Sequence, residues 1–306
     1  MKIFYIGKFA KIWDEKQISI SLEQLGHEVF EQDENESEER IRKNVISFKP
    51  DVVLFAKLQI RNALPFLQWL KRSGYKTVSW TFDLYFNYVR EDKVKYYPFI
   101  KADYVFTTDG GHDDKFREAG INHQLLRQGI FQDQAIMMPS EKEYDVVFVG
   151  CENLNYPYRQ EMMTYIEKYY PIKWFGRYNT DEVRGLKLNE LYGKSKIVIG
   201  DSVPSPYYWS NRLYETIGRG GFTIFPYIKG IDSEFTLGKH FVTYEHGNLK
   251  DLQEKIEYYL KNDEEREKIR KAGFEHCKRH HTYKKRCEQL IKTINNRVLE
   301  RTSKCL

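Results

Sequence analysis

Cysteine is scarce in this 306-residue chain: four residues, at 151, 277, 287 and 305. Their spacing fits neither a metal-ligand motif nor a disulfide scaffold, which argues against a structural zinc and for a reducing compartment. Long apolar runs are missing too, so no segment reads as a membrane-crossing helix. The opening MKIFYIGKFA gives a short strand-like run and then the charged KIWDEK. It lacks the longer apolar core of a signal peptide, and a cytoplasmic location is expected. No Asp-x-Asp lies between the candidate strands. Neither a metal site nor a cofactor is therefore expected.

What is present is a soluble globular composition, 41% apolar and 30% charged, long enough for two cores. The net charge of +5 is unevenly spread. Residues 265–304 hold thirteen Lys and Arg against five Glu, a local +8 that leaves −3 for the remainder. Such a segment is either the solvated face of a terminal helix or a patch for an anionic partner, such as a membrane surface or nucleic acid.

Short β-branched and aromatic runs alternate with segments of helical length. KIFYIG (2–7), HEVFEQ (27–32), DVVLFAK (51–57), KTVSWTFD (76–83), ADYVFTTD (102–109) and HQLLRQ (123–128) form a first series. YDVVFVG (144–150), IKWFGRY (172–178), KIVIGDS (196–202), GFTIFPY (221–227) and HFVTYE (240–245) form a second. The alternation predicts an α/β protein of two Rossmann-like, doubly wound parallel sheets facing a cleft. The expected divisions are 1–140, 141–280 and a terminal helix, 281–306, crossing back to the first domain. An apolar stripe of Tyr283, Cys287, Leu290, Ile291, Ile294 and Val298 marks that helix.

Ligands of open parallel sheets bind beyond the carboxyl ends of the strands, so the loops there hold the candidate site. In the second half these loops carry Gly150, then Arg177 and Tyr178, then the segment 201–209, then SNRLYETIGRGGF (210–222). Ser210 suits the N-cap of a helix starting at Asn211, whose free N–H groups, with Arg212, would receive a diphosphate. Glu215, one turn on, is placed to accept two hydrogen bonds from a ribose diol. It is equally placed to pair with Arg212 or Arg219. Gly220 and Gly221 read as a helix C-cap.

These motifs, with FGRY, LNELYGKSKIVIG and HTYKKR (281–286), resemble the CgeB-like, or spore-maturation-type, glycosyltransferases of the GT-B fold over about residues 145–290. The resemblance implies a metal-independent enzyme that transfers a sugar from a nucleoside-diphosphate sugar to an acceptor hydroxyl, with retention of configuration as in most related enzymes. It makes Glu215 the ribose ligand. Tyr207 stands where many retaining relatives carry a glutamate that contacts the donor sugar. In the first half SWTFD resembles the family's stretch beside the acceptor and offers Asp83, with His112 after the fifth strand as a second catalytic candidate. Gly7 and Lys8 occupy the first βα turn, where such enzymes bring backbone toward the donor phosphates. Acceptors from glycans to modified DNA remain open. A nucleotide-sugar epimerase or hydrolase and a non-catalytic binding protein of the same fold are the alternatives.

Overall fold

A computed structural model describes residues 1–10, 13–86, 91–152, 156–178 and 182–303. Cys305 and the side chains of Arg297, Val298 and Arg301 lie outside the described residues. The chain divides into two compact units, Met1–Gln128 with Tyr283–Leu306, and Gly129–Thr282.

The first unit is built on strands β1 (Lys2–Gly7), β2 (Glu28–Asp33), β3 (Val52–Phe55), β4 (Lys76–Thr81), β5 (Tyr104–Thr107) and β6 (His123–Leu125). They pair in parallel in the order β2-β1-β3-β4-β5-β6. β3 is VVLF, buried at every position, as a parallel strand covered on both faces must be. Helices α1 (Asp14–Glu23), α2 (Glu38–Phe48), α3 (Ala63–Arg72) and α4 (Asp113–Glu118) connect the strands. The start of α2 is set by Ser37, whose hydroxyl accepts from the Arg40 N–H at 3.3 Å, with Glu38 and Glu39 in the first turn.

The second unit repeats the principle with β7 (Tyr144–Val149), β8 (Ile172–Phe175), β9 (Ser195–Ile199), β10 (Thr223–Pro226) and β11 (Val242–Tyr244). Their order is β11-β10-β9-β7-β8, again parallel. Between them run α5 (Pro157–Ile166), α6 (Leu186–Lys194) and α7 (Arg212–Gly218), followed by α8 (Leu249–Lys261) and α9 (Asp263–His280). The run IKWFGRY ends as a strand at Phe175, because Gly176 takes φ +77° and starts a turn that carries Arg177 and Tyr178. α7 closes in a Schellman arrangement: Gly220 N–H donates to Ile217 O at 2.9 Å and Gly221 N–H to Thr216 O at 2.8 Å, with Gly220 at φ +78°.

The final helix, α10 (Tyr283–Ser303), belongs to the first unit and packs on α1. Tyr283, Cys287, Leu290 and Ile294 are buried. The Tyr283 hydroxyl donates to Asp14 Oδ1 at 2.7 Å. Arg286, one of the cations of the basic terminal segment, is also buried and donates to Gln128 O at 3.0 Å. It is a packing residue, whereas Lys285 is exposed and pairs with Glu288 at 2.8 Å. Among the described residues no helix is long and apolar enough to cross a membrane.

Candidate functional site

In the second unit the chain leaves β7 toward β8 on one side, and leaves β9 toward β10 and β11 on the other. Neighbours β7 and β9 thus flank the point where the strand order reverses, the usual location of a ligand crevice in such sheets. Gly150 follows β7, and Asp201 lies two residues beyond β9.

Arg212, the first residue of α7, spans these two loops. Its Nε donates to Val149 O at 3.0 Å, and its Nη1 donates to the Asp201 carboxylate and to Asp201 O at 3.3 Å. Gly150 is favoured here on two counts. Its φ is +156°, and a Cβ would lie 2.7 Å from Arg212 Nη2. The second oxygen of Asp201 accepts from Arg159 Nε at 2.7 Å, and Arg159 Nη1 also donates to Cys151 O at 2.6 Å. Burial alone would push the Asp201 carboxyl up; Arg212 and Arg159 together outweigh it and hold the carboxyl below its usual range. Two guanidinium groups share one carboxylate, which leaves a net +1 at the strand ends.

The cap of α7 is Asn211 rather than Ser210. Ser210 is held elsewhere: its hydroxyl donates to Asp201 O at 2.9 Å, while its N–H donates to Ser202 Oγ at 3.1 Å. These bonds tie it to the loop after β9, and the helix starts later in consequence. Asn211 Oδ1 is buried with no hydrogen-bond partner among the described residues. The structure therefore brings Gly150, Ser210, Asn211 and Arg212 together around Asp201.

Of the remaining second-unit candidates, Arg177 is linked to this group through Trp174. Glu215 accepts from Arg219 Nε at 2.7 Å. Arg177 pairs with Glu152 at 3.0 Å and lies over the Trp174 ring at 4.5 Å, while Trp174 Nε1 donates to Gly150 O at 2.6 Å. Tyr178 is exposed. Tyr207 takes φ +56°, and its ring lies where a Cβ on Gly230 would fall.

In the first unit the order reverses between β1 and β3. A cavity of about 400 Å³ opens there, lined among others by Lys8, Glu15, Glu34, Lys57 and Asp83. Lys8 pairs with Glu34 at 3.4 Å, and Asp83 with Lys57 at 2.6 Å. Burial raises the carboxyl pKa of Glu15, whose Cγ lies 3.1 Å from where a Cβ on Gly7 would project. Lys8 and Asp83 thus meet at one cavity, while Gly7 lies behind Glu15 and is not part of its lining. His112 stands apart from its lining: it is buried, and its Nδ1 is 2.7 Å from Asp109 Oδ1.

Sequence reasoning missed Arg159, Lys57 and Glu15. For Arg159 a signal existed, because Pro157 at the head of α5 marks a helix start just beyond β7, with position 159 in its first turn. Among the described residues no group of His, Cys, Asp or Glu is placed to hold a metal ion.

Residues 137–292 match the family profile described as glycosyl transferase-like. No curated protein matches the chain. Among solved structures, Anabaena Alr3699/HepE in complex with UDP-glucose is similar at 12% identity and TM-score 0.68, over 97% of this chain and 100% of that one. Sucrose-phosphate synthase from Thermosynechococcus elongatus is similar at 11% identity and TM-score 0.66, over 98% and 99%. A glycosyltransferase from Rickettsia africae is similar at 13% identity and TM-score 0.63, over 95% and 97%. At these identities the likeness is one of fold. The two parallel-sheet units have the GT-B glycosyltransferase architecture.

Proposed function

The chain belongs to the glycosyl transferase-like family, and from that premise we propose that it moves a sugar from a nucleoside-diphosphate sugar to an acceptor hydroxyl, as a member of the CgeB-like branch acting in the cytoplasm. The observation that carries this reading is the Arg212–Asp201–Arg159 cluster beside Gly150, where the strand order reverses.

Cleaving the donor's anomeric bond places negative charge on the leaving diphosphate, and preorganised cations lower the barrier most where water is excluded. α7 spans only seven residues, so its dipole contributes little and charge compensation rests on the guanidinium groups. Arg212, with Asn211 and Ser210 beside it, takes the diphosphate over Gly150. The orphan acceptor Asn211 Oδ1 suits a donor hydroxyl. Glu215 takes the ribose. Arg177, Tyr178 and Tyr207 flank the donor; Gly7 and Lys8, at the first βα turn of the first unit, keep the phosphate-facing role that the family resemblance gives them. Asp83 serves the acceptor, a glycan or modified-DNA hydroxyl, while His112, buried against Asp109 and apart from the Asp83 cavity, is the weaker catalytic candidate. With arginines in place of a cation the reaction needs no divalent metal, and it retains the anomeric configuration.

A panel of nucleotide sugars, followed by nucleoside diphosphate release with and without excess chelator, tests this. Release that survives chelation supports the assignment. Tight uptake of a nucleotide sugar without release, for every acceptor supplied, would favour the non-catalytic reading instead. That reading is consistent with one observation: Asp83 is already neutralised by Lys57.

A further inference from the structure

Asp201 is 4% exposed and still ionised, and its two oxygens are divided between two arginines. Each arginine is fixed a second time by a backbone carbonyl, Val149 O for Arg212 and Cys151 O for Arg159. Both guanidinium groups lie over the Phe148 ring, at 5.2 Å for Arg212 and 5.6 Å for Arg159, and Arg159 also faces the Tyr156 ring at 4.3 Å. Three charges are therefore immobilised at the carboxyl ends of β7 and β9. Stability is a weak reason for such an arrangement, because buried ion pairs gain little over apolar packing of the same volume. Their common orientation toward the Gly150 turn is the better one, since an arginine held rigid loses less entropy when it receives an oxyanion.

Resting on the donor assignment above, we propose that Asp201 is a positioning residue for the donor diphosphate, with Arg159 as its counterweight. Asp201 does not touch the donor. It sets the guanidinium of Arg212 over Gly150, and Arg159 anchors the other carboxylate oxygen so that the pair cannot rotate. The donor's base and ribose do not depend on this cluster.

The test compares a nucleoside diphosphate with its parent nucleoside, using whichever of UDP, GDP, dTDP and ADP the wild-type protein binds most tightly by calorimetry. Asp201→Asn is expected to weaken the diphosphate at least tenfold and to leave the nucleoside unchanged. In an Arg212→Met background the same change should cost nothing further, because it acts through Arg212. Equal losses for both ligands would mark Asp201 as merely structural and overturn the inference, as would an undiminished tenfold loss in the Arg212→Met background. Should Asp201→Asn fail to fold, Arg159→Lys keeps the charge but loses the fork. It should weaken the diphosphate threefold or more, again without effect on the nucleoside, and an unaltered diphosphate affinity overturns the inference. A wild-type protein that binds none of the four diphosphates removes the donor assignment and this inference together. A wild-type that binds one, with variants that bind it equally well, removes this inference alone.

Discussion

Arg219 holds Glu215 from one turn away, with Nε 2.7 Å from Oε2. The same buried guanidinium reaches Asn189 Oδ1 at 2.6 Å, Gln134 Oε1 at 2.5 Å and Gly185 O at 3.0 Å. Glu215 thus has a structural role, independent of the proposed ribose contact. Glu215→Ala should lower stability by about 1–3 kcal/mol, since it leaves a charged donor short of a partner. Glu215→Gln keeps an acceptor for Arg219 and should recover much of that stability while still weakening nucleotide binding. Urea denaturation and calorimetry on both variants separate the roles. Full nucleotide affinity in the Gln variant would leave Glu215 with the structural role only.

Gly220 ends the same helix. At φ +78° an L side chain is strained, and a Cβ would lie 2.7 Å from Met137 Cγ. Gly220→Ala should therefore cost about 1–3 kcal/mol, combining backbone strain with overpacking. A midpoint of unfolding equal to wild type would show that this turn tolerates a side chain.

Much of the fold was legible because buried parallel strands are short, apolar and β-branched: VVLF at 52–55 and SKIVI at 195–199 announce themselves. Strand ends were less legible. Gly176 follows β8 and opens a turn at φ +77°, and Gly200 follows β9 where a Cβ would meet the Phe225 ring. In the site, Arg212 and Gly150 were readable from their loops. The partner that organises them was not, since nothing local to Arg159 discloses a carboxylate forty-two positions away. Ser210 misled for a related reason: a hydroxyl with good capping chemistry was claimed by Asp201 O.

His240 gives the second unit a pH dependence. Burial, reinforced by His276, Lys239 and His280, holds its pKa down at about 4. Its ring stacks on His276 at 4.0 Å, and its Nδ1 accepts from Thr236 N–H at 3.1 Å. The folded value lies below the unfolded one, so between about pH 6.5 and 4 the unfolded chain binds a proton that the folded chain does not. Stability present above that window should be lost as the pH falls through it, by at most ~1.4 kcal/mol per pH unit from this group. His240→Gln should flatten the profile over that range. Parallel profiles for variant and wild type would mean that His240 titrates normally.

The last prediction concerns α10, where burial and charge separate cleanly. Tyr283, Cys287, Leu290 and Ile294 bury an apolar stripe in the first unit, at about 1.5–3 kcal/mol for a large side chain. Removing residues from 281 onward should thus cost several kcal/mol and unfold or loosen that unit, at any salt concentration. Tyr283→Phe, which loses the bond to Asp14, should cost about 0.5–1.5 kcal/mol. Lys284→Gln with Lys285→Gln, the first half-buried and the second exposed, should leave stability within about 0.5 kcal/mol. Arg286→Gln should not, because that guanidinium is buried against Gln128 O. If the two lysines recognise an anionic acceptor, the double variant should also flatten the salt dependence of acceptor binding. Thermal melts of each variant, with acceptor affinity measured across salt concentrations, check both halves. A double lysine variant as unstable as Arg286→Gln would place all three cations in the packing. Unchanged stability with an unchanged salt slope would leave the lysines as a solvated helix face.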